Sequence, residues 1–204
     1  MSRLWIKNFP SLLSSLFISK VGDYAYEVVF VFIVLEVTEN NYLFTGLVYF
    51  FRFILFLFFG TVGGWMADNG CLKRNLLFSE WGRLFVSFLL FLTYLSGRAD
   101  IFILIIASVV TTIGWALFQP SFQTAVPQIV ADKDLARANS ITHVAEETAS
   151  IIGPLICSLI LFVADKAWVL FFNGLTYSIS ILFLITIGDF QQQSSVSFRL
   201  RQVY

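Results

Sequence analysis

The sequence predicts an all-α integral membrane protein of six transmembrane helices, on three observations: a lipid-compatible composition, six long apolar runs and a one-sided distribution of Lys and Arg. Hydrophobic residues make up 58% of the 204 and charged residues 13%, against roughly 45–50% and about 25% in soluble domains. The 24 phenylalanines exceed what the interior of a soluble domain this size can hide, whereas lipid accepts apolar side chains all round a helix. A net charge of zero gives no field to attract nucleic acid. The partner that composition points to is the lipid bilayer.

A spanning helix needs about 20 mostly apolar residues, and that rule places spans over residues 11–37, 42–66, 76–95, 101–125, 141–163 and 167–187. Arg3 and Lys7 precede the first, which superficially suits a signal peptide. The run continues past Lys20, Asp23 and Glu27 with no small-x-small cleavage site, so it reads as a retained helix. Polar connections at 38–41, 67–75, 96–100, 126–140 and 164–166 separate the spans. In the longest, Asp132 or Asp134 is placed to cap a helix starting near Leu135. Residues 1–190 form one bundle, and no soluble domain is visible.

Lys and Arg are retained on the cytoplasmic side. Arg3, Lys7, Lys73, Arg74, Lys133, Arg137, Arg199 and Arg201 fall on one side, and Arg98 and Lys166 on the other. Both termini are therefore predicted to be cytoplasmic. Cys71 lies in a loop and Cys157 within a span, so both are read as free thiols. No His-Glu-x-x-His pair or Gly-x-Ser-x-Gly elbow occurs and there is one histidine, His143, so the sequence predicts no enzyme, metal site or cofactor.

The intramembrane charges carry the functional reading. Asp23 and Glu27, four residues apart, share a face of the first helix with Lys20. At about 1.5 Å per residue, Asp23 lies roughly 18 Å from the cytoplasmic edge, near the middle of a ~30 Å hydrocarbon core. Facing lipid, such a residue costs at least ~2.5 kcal/mol, so this face must point at protein or water. Arg52 lies about 15 Å down from the opposite surface at the same rise, at matching depth. It can hold one acid charged while the other exchanges a proton, making Asp23 or Glu27 a candidate proton or cation-substrate site. The competing reading is a structural ion network of Lys20, Asp23, Glu27 and Arg52. Glu80 and Arg83, at i and i+3, read as a structural pair; Glu146 and Glu147 can meet Arg83 or face cytoplasmic water.

Three further patterns bear on function. The second span ends in Gly63-Gly64-Trp65-Met66-Ala67-Asp68-Asn69-Gly70-Cys71-Leu72-Lys73-Arg74: a glycine, an acid four residues later, then bases. Gly64 permits close helix approach, Asp68 can sit at a helix N-terminus, and Lys73 and Arg74 anchor the cytoplasmic face. Trp115, Gln119 and Gln123 follow at helical spacing and put an aromatic and two amides on one side of the fourth span. In the fifth, Ala149, Gly153 and Cys157 form a small-residue stripe beside Pro154 and Ser158, suited to tight helix contact.

The loop resembles the signature loop of the major facilitator superfamily, with Asn69 in place of a basic residue. The string from Phe118-Gln119-Pro120 through Val126-Pro127-Gln128, Leu135-Ala136-Arg137-Ala138-Asn139-Ser140 and Ile152-Gly153-Pro154 is similar to the bacterial efflux branch that includes macrolide and enterobactin exporters. The stripe resembles that family's antiporter motif, with Ala149, Cys157 and Ser158 where glycines are usual. The resemblance implies the N-terminal half of such a fold, two inverted three-helix repeats. It also implies proton-coupled efflux of a small-molecule substrate from the bacterial inner membrane, with Trp115 and Gln119 lining the cavity. Residues 191–204 would begin the central cytoplasmic connection or be a truncated tail. One half cannot enclose the cavity, so the expectation is an incomplete fragment, or else pairing with a separate C-terminal half or a second copy. A non-transporting assembly subunit and a homo-oligomeric channel are the alternatives; polar residues clustered at mid-depth suit alternating access better than a channel.

Overall fold

The computed structural model describes residues 3–188 and Phe190. The side chains of Arg3 and Lys7, and the segment 191–204 with Arg199 and Arg201, lie outside the described residues. The described chain folds into six long helices: α1 (Arg3–Val37), α2 (Tyr42–Asn69), α3 (Leu72–Leu95), α4 (Ile101–Ile129), α5 (Leu135–Val163) and α6 (Lys166–Thr186). A single 3-10 turn, Asp132–Asp134, leads into α5.

Asn41 caps α2 by accepting from the backbone N–H of Leu43 and Phe44, and Asp100 caps α4 through Ile103. Both satisfy donors that a helix start leaves unpaired. Asp134 occupies the N-cap position of α5 without giving a side-chain cap bond. The connection predicted over 67–75 is helical except at Gly70 and Cys71. Hydropathy marks where the bilayer would end, whereas the helical backbone continues into water because its hydrogen bonds are internal.

Five of the six described helices, α2 to α6, are long and apolar enough to cross a membrane, and the chain is an integral, multi-pass membrane protein. The sixth predicted span, α1, does not meet that measure. Lys20, Asp23 and Glu27, with several serines, dilute its hydropathy, and these residues are accommodated by packing. α1 runs along α5 and α6, α4 runs along α2 and α3, and α3 and α6 join the two groups.

Four glycines set these contacts. A Cβ at Gly63 on α2 would strike the Ala116 carbonyl of α4, and one at Gly153 on α5 would strike Tyr24 and the Val21 carbonyl of α1. On the other seams, Gly114 of α4 lies against Arg83 and Ser79 of α3, and Gly22 of α1 against Thr176 and Asn173 of α6. Gly64, expected to supply the close approach, has open space around it. Its neighbour Gly63 is the residue that turns toward α4.

The interior is layered. One apolar cluster gathers Phe9, Leu12, Leu16, Leu76, Phe118, Phe122 and Leu184. Another gathers Phe30, Ile33, Val34, Leu90, Leu104 and Leu170. Between them in chain position lies a buried polar layer: Ser19 on α1, Ser79, Glu80 and Arg83 on α3, Thr112 on α4, and Asn173, Thr176 and Ser180 on α6. The apolar clusters above and below keep this layer away from either end of the bundle.

Candidate functional site

Asp23 and Glu27 share a face of α1 but, one turn apart, they meet different helices. Glu27 receives a two-pronged bond from Arg52 of α2, with both N–O distances at 2.9 Å. The Arg52 guanidinium also lies over the rings of Phe30 and Tyr49, at 5.4 and 5.1 Å. Asp23 turns toward α3 and α6. Its Oδ2 takes Arg83 Nη1 at 3.0 Å and its Oδ1 accepts from the Tyr177 hydroxyl at 2.5 Å. Arg83 completes its fork with Nη2 on Glu80 Oε1 at 2.6 Å.

The network expected among Lys20, Asp23, Glu27 and Arg52 is thus two separate systems. Glu27 and Arg52 form a closed pair at the cavity edge, and Asp23, Arg83, Glu80 and Tyr177 form a deeper cluster. The two acids lie about 6 Å apart along α1 and about 40° apart around it, and over that interval the helix they meet changes from α3 and α6 to α2. Lys20 places its ammonium over the Trp115 ring, 3.4 Å from the centroid. Such a contact holds a cation where carboxylates are already engaged. Glu146 sits 3.6 Å from His143 rather than at Arg83.

A cavity of about 370 Å³ opens midway along the helices, lined by Lys20, Asp23, Glu27, Arg52, Arg83 and Trp115 among others. Trp115 belongs to it, but Gln119 and Gln123 do not. Those amides line a second cleft of about 280 Å³ between α4 and α5, with Asn139, Thr142, His143 and Glu146. Trp115 and Gln119 are about 6 Å apart along the helix axis, enough to separate them between two openings.

The loop motif is spread over several contacts. Asp68 falls in the exposed last turn of α2 rather than at the start of α3, where Cys71 is the N-cap. Lys73 donates to the carbonyls of Ile185 and Ile187, tying α3 to the C-terminal end of α6. Arg74 is exposed. On α5, Ala149, Gly153 and Cys157 are all buried while Pro154 is partly exposed, and Gly153 makes the seam with α1.

Sequence reasoning gave Arg83 Glu80 as a partner, with Glu146 or Glu147 as further ones, and missed both Asp23 and Tyr177. An Arg at mid-span is a visible signal, since such a charge needs a partner on another helix. A tyrosine in an aromatic-rich span gives none.

A multi-pass bundle whose buried charges open onto a cavity midway along its helices has the build of a membrane transporter. The chain matches the transmembrane secretion effector family of the major facilitator superfamily over residues 1–198 and belongs to it. A search of curated proteins gave no match.

Proposed function

We propose that this chain is the six-helix half of a proton-coupled efflux transporter, an antiporter for drugs or other small molecules of the macrolide and enterobactin exporter branch. Both termini face the cytoplasm of a bacterial inner membrane. The observation that carries the reading is the Asp23 cluster. Asp23 is a carboxylate at the cavity wall, held by Arg83 and Tyr177, and its side chain is still 22% exposed, so it can meet protons that enter with water. Glu27 is more exposed, at 43%, but it is matched one to one by Arg52 and is the second candidate of the two acids.

The fold is read as two inverted three-helix repeats. The seams support this: exchanging α1 with α4, α2 with α5 and α3 with α6 maps the packing pattern onto itself. It also pairs Gly22 with Gly114 and Gly63 with Gly153, each pair separated by about 90 residues. Alternating access in such a fold requires a second six-helix unit around the cavity. A C-terminal half or a second copy of this chain supplies it.

The test is transport by the assembled protein. In inverted vesicles, erythromycin added to the assembled transporter should dissipate an imposed pH gradient. Asp23→Asn should abolish that response, and Glu27→Gln should leave most of it. Wild-type rate and pH dependence in both variants would end the proposal. The chain on its own should insert but should not export.

A further inference from the structure

Arg83 serves two carboxylates at once, Asp23 through Nη1 and Glu80 through Nη2. The side chains of Arg83 and Glu80 have no exposure at all. With both acids ionised the trio carries a net negative charge in the interior, which is costly where water cannot solvate it. The next cation, Lys20 on the same face of α1, is turned to Trp115 and forms no ion pair with either acid among the described residues, so its charge acts on Asp23 only across a gap and leaves Glu80 without a second cation. Tyr177 of α6 is a hydroxyl donor to Asp23 and adds no positive charge. Two acids beside one base relieve the excess by keeping one proton between them.

The hydrogen bonds say where that proton belongs. Both Asp23 oxygens are occupied by donors, one from Arg83 and one from Tyr177, the arrangement that suits a carboxylate. Glu80 has only Oε1 occupied; its Oε2 is buried with no hydrogen-bond partner among the described residues. Ser19 of α1 and Ser180 of α6 turn their buried hydroxyls to Glu80, near enough to bond it after a small adjustment. A hydroxyl accepts from a carboxylic acid or donates to a carboxylate, so this chamber accommodates either form of Glu80.

Resting on the reading of Asp23 as the coupling acid, we infer that Glu80 is a second, closed proton site. One proton is shared by the Asp23–Glu80 pair and resides on Glu80 Oε2, while Asp23 stays ionised between Arg83 and Tyr177. Release breaks only the Oε2–H bond, the electron pair staying on the Glu80 carboxylate and the proton passing to the carboxylate of Asp23, the partly exposed member of the pair. Asp23 faces the cavity, and Glu80 holds the reserve behind it.

Infrared spectroscopy of the purified chain in lipid nanodiscs tests this without any substrate. At neutral pH the wild type should show the C=O stretch of a neutral carboxylic acid that shifts with 13C-glutamate and not with 13C-aspartate. Glu80→Gln should remove it. Asp23→Asn should remove it too, because the remaining glutamate then has the guanidinium to itself and ionises. Glu27→Gln should leave it in place. Absence of the band from the wild type, or its survival in Glu80→Gln, overturns the inference, and the wild-type result stands even if a variant does not fold. If the band is present while Asp23→Asn transports normally, the coupling reading fails and the proton site remains.

Discussion

At the scale of single residues, Arg83 is the centre of the interior. It is fully buried, it bonds two acids, and the rings of Phe118 and Tyr177 lie within 5.2 and 4.8 Å of its guanidinium. Removing one member of a buried ion system strands its partners, at a cost of about 3–5 kcal/mol. Arg83→Met should therefore leave little protein that survives mild heating in detergent, measured by size-exclusion recovery. Arg52→Met should cost less, about 1 kcal/mol or below, because Glu27 is 43% exposed and water can take over. Equal losses in the two variants would refute this ranking. Depth counting from the sequence matched Arg52 to the level of the two acids, and Glu27 is the acid it meets. It could not assign Arg83 to Asp23, because a span's charge does not reveal which neighbouring helix it faces.

At the scale of helices, seams depend on where one backbone can touch another. Gly63 and Gly64 are adjacent in α2, yet a methyl at Gly63 meets the Ala116 carbonyl while one at Gly64 meets nothing. Gly63→Ala should push α2 from α4 and destabilise by about 1–3 kcal/mol, the usual cost of overpacking. Gly64→Ala should be neutral or stabilising by up to about 1 kcal/mol, through helix propensity. Thermal unfolding of the two variants in the same detergent decides it, and the reverse order would contradict the α2–α4 seam. The sequence marked the spans because about twenty apolar residues in a row are hard to place elsewhere. It misplaced the close contact by one residue because neighbouring positions on a helix point about 100° apart, and composition alone does not give the rotation. α1 fell below the apolar measure because Lys20, Asp23 and Glu27 sit on the face that it turns to the cavity.

At the scale of the whole molecule, the bundle is fastened at both ends by a lysine. Near the α2–α3 loop, Lys73 donates to the last carbonyls of α6, where a cation also meets the negative end of the helix dipole. At the opposite end Lys166 and the Tyr94 hydroxyl converge on Glu36, linking α6 and α3 to α1. The excess of Lys and Arg on the Lys73 side is the basis for placing that end in the cytoplasm, and the two cysteines allow a direct check. Cys71 is partly exposed at the start of α3, two residues before Lys73, whereas Cys157 is buried on α5 against α1. A membrane-impermeant maleimide should thus spare intact cells, label inside-out vesicles, and lose that labelling in Cys71→Ser. Cys157→Ala should change neither result, since a thiol enclosed between helices is closed to the reagent from both sides. Labelling of Cys71 in intact cells would invert the topology.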